Sequence, residues 1–224
     1  MSRSLSLAAD DGHTLSAYVA GEPAADAAVV ILQEIFGVNA HIRSVADAYA
    51  RQGFYAISPA LFDRVERGVE LDYTPDGRER GRAIAGRLEP GGILKDIAAA
   101  VAHGRASVRS GKAGVVGYCL GGSYAWLSAA NLQVDAAVGY YGSRIAASLG
   151  QVPRAPVMLH FGILDNGIPL SDVEKIRAAF PEVPIYVYNA GHGFNRDASP
   201  AYSAEAATLA QERTLSFLRA NLKV

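Results

Sequence analysis

The chain has 224 residues, half of them hydrophobic, and 21 lysines and arginines against 22 aspartates and glutamates leave a formal net charge of -1. That length suits one domain, over residues 1–224, with a full hydrophobic core. Dispersed charge of both signs argues against nucleic acid or an anionic membrane surface as partner, and no uninterrupted apolar run approaches the roughly 20 residues of a membrane span.

A lone cysteine, Cys119, excludes an internal disulfide, a resolving thiol and any CxxC metal or redox site. The opening stretch Met1 to Leu7 meets Asp10 and Asp11 before any apolar core of a secretory signal forms. The expectation is a cytoplasmic monomer with no cofactor and no metal.

Along the chain, short β-type runs alternate with longer alanine-rich stretches. Ser4 to Ala8 and Thr14 to Val19 flank Asp11-Gly12, the signal of an antiparallel hairpin. Strands follow at Ala27 to Leu32, Phe54 to Ser58, Ala113 to Tyr118, Ala136 to Tyr141, Pro156 to Phe161 and Ile185 to Tyr188. Helices are expected at Ala40 to Arg51, Ile93 to Arg109, Ser123 to Ala130, Asp172 to Ala179 and Ala204 to Arg219. In the last, Ala207, Leu209, Ala210, Leu215, Phe217 and Leu218 supply an apolar face that should dock on the sheet. The charged stretch from Leu61 to Gly92 is the least regular and reads as a lid or pocket wall. The pattern is α/β, with a mostly parallel central sheet and helices on both faces.

Cys119 lies in Gly117-Tyr118-Cys119-Leu120-Gly121-Gly122, between a β-type run and a helix-forming one. This is the pattern of a nucleophile elbow with sulfur in place of serine oxygen. The small residues two before and two after the nucleophile let neighbouring backbone pass closely. A buried structural cysteine needs neither glycine. Because a thiol is mostly protonated near neutral pH, catalytic use requires a base.

Of the five histidines, only His192, in Ala190-Gly191-His192-Gly193-Phe194, sits in a tight loop after a strand. His13, His41, His103 and His160 read as structural. An orienting carboxylate belongs at the end of an intervening strand, where Asp165 stands in Gly162-Ile163-Leu164-Asp165-Asn166-Gly167. Alone, it reads equally as a turn aspartate. The order of nucleophile, acid and histidine, each just after a strand, is that of the α/β-hydrolase fold. Leu120 offers one backbone N–H to an oxyanion and Ile35 a second. Glu34 is either a solvated loop residue or a group that influences the thiol.

The motifs QEIFGVN at Gln33 to Asn39, GYCLGG at Gly117 to Gly122, Asp165 and AGHGF at Ala190 to Phe194 together resemble the dienelactone hydrolases. Asp11-Gly12-His13, Ala137 to Gly142 and Glu212 to Leu215 extend the likeness over nearly the whole chain. The resemblance implies an α/β-hydrolase fold and a Cys119-His192-Asp165 triad. That triad would open a carboxylated enol-lactone through a thiol ester, with Glu34 activating the thiol. It further implies substrate contacts from Phe36, Arg78 and Arg196, of which Arg78 competes with Arg80 and Arg82. Without the resemblance, each of these arginines reads as solvated. From Asp76 to Pro90 there is no aromatic residue, a departure that puts the identity of the lactone in question.

Two other readings stand beside this one. The same triad would serve an esterase or thioesterase of other small substrates. A binding protein or thiol redox sensor would use Cys119 alone, and would have no need of Asp165 and His192 in triad order.

Overall fold

Asp11 and Gly12 turn the chain between two antiparallel strands, β1 (Arg3–Ala8) and β2 (Thr14–Ala20), with Gly12 at a φ of 83°. The computed structural model describes residues 2–224; Met1, the first residue of the opening stretch, lies outside them. The chain divides into two compact units, residues 1–115 and 116–224.

In the first unit the strand order is β1-β2-β4-β3. Strands β3 (Ala28–Leu32) and β4 (Tyr55–Pro59) are buried at every residue and pair in parallel, Val29 opposite Ala56. A strand covered on both faces reads as a continuous apolar run. The outer strand β1 and most of β2 instead alternate buried and exposed residues, because one face meets solvent. Helices α1 (Ala40–Arg51) and α3 (Pro90–Ser107) pack on β3 and β4. Asn39 caps α1, its side-chain oxygen accepting the Ile42 N–H.

The stretch expected to be least regular is ordered. It holds a 3-10 turn at Leu61–Arg64 and helix α2 (Pro75–Ala85). Thr74 caps this helix by accepting the Gly77 N–H, and Pro75 stands at its first position, where a missing N–H costs nothing. The helix buries only Gly77, Gly81, Ile84 and Ala85. Small buried residues under a charged outer face leave no strong apolar periodicity, so its hydrophobic pattern is silent.

Strand β5 (Ala113–Tyr118) runs from the first unit into the second, where the order is β5-β6-β7-β8. Strands β6 (Ala136–Tyr140), β7 (Val157–Gly162) and β8 (Ile185–Tyr188) pair in parallel, Gly139 opposite Leu159 and Phe161 opposite Val187. Helices α4 (Leu120–Asn131) and α5 (Leu170–Ala179) follow β5 and β7. The closing helix α6 (Ala204–Leu222) packs on β6 and β7 and buries Ala207, Ala210, Thr214, Leu218 and Leu222. Leu209 is exposed, and Leu215 and Phe217 are half-buried. The buried stripe runs through Thr214, a polar residue that an apolar count passes over.

The class is α/β, with parallel pairing inside and the antiparallel hairpin at one edge. Among the described residues, no helix is long and apolar enough to cross a membrane.

Candidate active site

Cys119 is placed at a turn no ordinary residue favours. Its backbone has φ 55° and ψ -111°, between the last residue of β5 and the first of α4. A Cβ on Gly117 would lie 1.9 Å from the Gly121 carbonyl oxygen, so only glycine fits two residues before the cysteine. The turn is held by the Cys119 N–H donating to the Tyr140 carbonyl at 3.0 Å and by the Ser123 N–H donating to the Cys119 carbonyl at 3.2 Å. Leu120 opens α4, so its amide is one that no carbonyl of its own helix accepts. The helix end also favours an anion at the sulfur.

Three loops that leave strand ends bring Cys119, His192 and Asp165 into line. His192 Nε2 lies 3.1 Å from Cys119 Sγ, and its Nδ1 lies 2.7 Å from Asp165 Oδ2. The Asp165 side chain is fully buried, and its other oxygen accepts the Gly167 N–H at 2.8 Å. That second bond leaves the carboxylate one direction in which to face. The His192 ring is half-buried, with the Tyr141 ring 5.0 Å away. Burial acts to lower the pKa of this imidazole, but hydrogen bonds to Asp165 and Cys119, with the negative charge of both, raise it to about 10. In its protonated form the ring donates from both nitrogens, one toward the carboxylate and one toward sulfur. An imidazolium facing sulfur is the setting in which a thiolate serves as nucleophile.

Comparison with known proteins places a chain of this fold in a family. The model of the dienelactone hydrolase family fits residues 15–222. Carboxymethylenebutenolidases from Pseudomonas putida and Pseudomonas knackmussii are each 40% identical over 230 residues, covering 97% of this chain and 96% of theirs. The chain belongs to the dienelactone hydrolase family. With that family it is a hydrolase of ester or lactone bonds. Its fold is that of the α/β-hydrolases: an esterase from Pyrococcus furiosus superimposes with a TM-score of 0.70 at 13% identity, covering 99% of this chain and 93% of that one. A dienelactone hydrolase-like phosphotriesterase from metagenomic libraries gives 0.73 at 18%, covering 98% of both chains.

The remaining residues that the resemblance singles out in this hydrolase fall in two places. Arg196 lies in the second unit, only 6% exposed, so the solvated reading does not hold for it. Its guanidinium lies against Gly193, whose φ is 80°; a Cβ there would come within 2.2 Å of Arg196 Nη2. The same nitrogen donates to the His192 carbonyl at 3.4 Å. Glycine thus lets the arginine fold back over the histidine loop.

Glu34, Ile35, Phe36 and Arg78 lie in the first unit. Glu34 is 1% exposed, which corrects the reading as a solvated loop residue. It lies two residues after β3, a strand buried at every position, and the chain has not yet reached the surface there. Its own carbonyl accepts from the Gln33 side chain, and the other end of that amide accepts the Leu61 N–H. Ile35 is half-buried and Phe36 is buried.

Arg78 is exposed in the first turn of α2. Arg80 pairs with Glu66, and Arg82 is exposed. Two residues were not foreseen. Tyr73, just outside the aromatic-free stretch, packs edge-on against Phe36 at 4.7 Å, and its hydroxyl accepts from Asn39. Tyr141, expected to end a strand, instead leaves it at a φ of 39° with its ring beside His192. The tyrosine pair before Gly142 was the available signal for it.

Proposed function

We propose that this chain is a single-domain, cofactor-independent cysteine hydrolase that opens small carboxylated enol-lactones, of the dienelactone-to-maleylacetate type, through a thiol ester. The observation that carries the reading is the continuous line from Asp165 through His192 to Cys119, at 2.7 and 3.1 Å, in a chain 40% identical to carboxymethylenebutenolidases. The thiolate attacks the lactone carbonyl, and the ring C–O bond breaks with its electron pair leaving on the enol oxygen. His192 Nε2 gives that oxygen its proton. Loss of the thiolate charge removes one of the influences that hold the imidazolium, so the ring is ready to act as base. Water then attacks the thiol ester and passes a proton to His192. The C–S bond breaks, and thiolate and imidazolium are restored.

The Leu120 amide, the first of its helix, donates to the developing oxyanion in this reading. Arg196, with its fork buried beside the histidine loop, supplies the partner that a substrate carboxylate calls for; a neutral ester would not use it. Thiol activation by Glu34, a second oxyanion contact from Ile35, and substrate contacts from Phe36 and Arg78 belong to the same proposal and rest on the motif likeness. A cytoplasmic, monomeric enzyme with a small-molecule substrate as its partner completes the reading.

The test is ring opening of a dienelactone followed spectrophotometrically in the native enzyme and in Cys119→Ala. Loss of turnover on the order of 10³-fold or more is expected, with a thiol ester on Cys119 detectable by mass spectrometry in the native protein under rapid quench. Unchanged turnover in the variant would end the cysteine mechanism.

A further inference from the structure

Beneath the strand ends of the second unit runs a buried chain of hydrogen bonds that the reaction itself does not use. His160, in β7 and wholly buried, lies 2.8 Å from the Tyr188 hydroxyl through Nδ1 and 3.0 Å from Thr214 Oγ1 through Nε2. Thr214 Oγ1 in turn lies 2.7 Å from the Tyr140 hydroxyl. Arg213 donates to the Tyr188 hydroxyl at 3.1 Å and sits 4.1 Å over the Tyr186 ring.

A guanidinium can only donate, so the network has a natural direction. Tyr188 accepts from Arg213 and gives its own proton to His160 Nδ1, and His160 Nε2–H donates to Thr214. Burial and the Arg213 charge hold the His160 pKa down to about 3, which keeps the ring neutral and able to play both parts.

The network reaches the triad through the peptides it anchors. The Tyr140 carbonyl accepts the Cys119 N–H at 3.0 Å, and the His160 carbonyl accepts the Tyr141 N–H at 2.7 Å. Tyr141 then sets its ring beside His192. We propose that Thr214 is a positioning residue for the nucleophile: by tying the Tyr140 hydroxyl to His160, it fixes the carbonyl that holds Cys119 and thereby the alignment of sulfur with His192. The inference rests on Cys119 being the nucleophile. The Thr214 hydroxyl bonds Tyr140 and His160, and its effect on the reacting atoms passes through Tyr140.

Thr214→Val keeps the shape of the side chain and removes both hydrogen bonds. On the substrate that the native enzyme turns over fastest, kcat should fall about tenfold or more while KM stays within about twofold, since misalignment affects the reacting atoms and leaves binding intact. Thr214→Ser should recover most of the loss, because the hydroxyl carries the effect.

Native kcat in folded Thr214→Val overturns the inference, as does a serine variant no better than valine. If the valine variant does not fold, Tyr140→Phe, which removes only the hydroxyl at the other end, carries the same expectation and the same refutation. Cys119→Ala assayed alongside separates the two readings. Activity surviving in it removes the nucleophile assignment itself, whereas a dead alanine variant beside an unaffected valine variant removes only the role of Thr214.

Discussion

His192 donates through Nδ1 to the buried carboxylate of Asp165 at 2.7 Å, and this bond turns the other ring nitrogen toward sulfur. Asp165 is among the groups that raise the imidazole to about 10. Replacing it with asparagine removes the charge and keeps the shape. The proton on His192 is then lost at lower pH, so the alkaline limb of the kcat/KM profile should move down from near pH 10 toward neutrality. Activity at pH 7 should drop on the order of 10²-fold or more. A pH–rate profile of Asp165→Asn that keeps the native alkaline limb would show that the carboxylate does not govern the ring.

Gly117→Ala tests the elbow. The added methyl would meet the Gly121 carbonyl oxygen at 1.9 Å, and its nearest neighbours are all backbone atoms of Gly121 and Gly122, with no flexible side chain to give way. The variant should lose about 2 kcal/mol or more of stability in urea unfolding and nearly all turnover. Native stability and activity together would mean the turn relaxes without cost.

Substrate charge should be read by Arg196. Arg196→Ala is expected to raise KM for a carboxylated lactone by about tenfold or more, as loss of a charge-assisted contact of roughly 1.5–3 kcal/mol implies, while KM for a neutral ester changes little. Equal effects on both substrates would instead point to a general collapse of the histidine loop, against which the guanidinium packs.

His160 makes stability depend on acid. The folded chain keeps this ring neutral down to about pH 3, whereas in the unfolded chain it takes a proton near 6.5. Because the depressed pKa belongs to the folded state, its contribution is whole above pH 6.5 and is lost as pH falls toward 3. The slope is about 1.4 kcal/mol per pH unit for one proton. His160→Gln, which retains a donor and an acceptor but does not titrate, should be less stable at neutral pH and lose stability less steeply below it. Urea midpoints measured between pH 4 and 8 decide this; parallel curves would exclude the buried ring as the source.

Local pattern carried much of this molecule. The Asp-Gly turn, the buried runs of β3, β4 and β5 and the glycines around Cys119 each report a backbone conformation or a covered strand within a few residues, and such information is written locally. The order of cysteine, aspartate and histidine after strand ends was legible for the same reason. Helix α2 was not, because its buried face is made of Gly77, Gly81, Ile84 and Ala85 and its charges dominate the composition. Nor was the buried stripe of α6, which follows Thr214 rather than the exposed Leu209.

By itself, then, the sequence determined the class of fold and the family, and it put a cysteine, an aspartate and a histidine in triad order. Tertiary structure decided how these residues are arranged. Cys119 and His192 are 73 residues apart and Asp165 and His192 are 27 apart, so their alignment depends on where parallel strands end. The charge on His192, the neutrality of His160 and the burial of Glu34 and Arg196 follow from what packs around each group. Desolvation and hydrogen bonding are properties of an environment, and a linear chain states an environment only once it has folded.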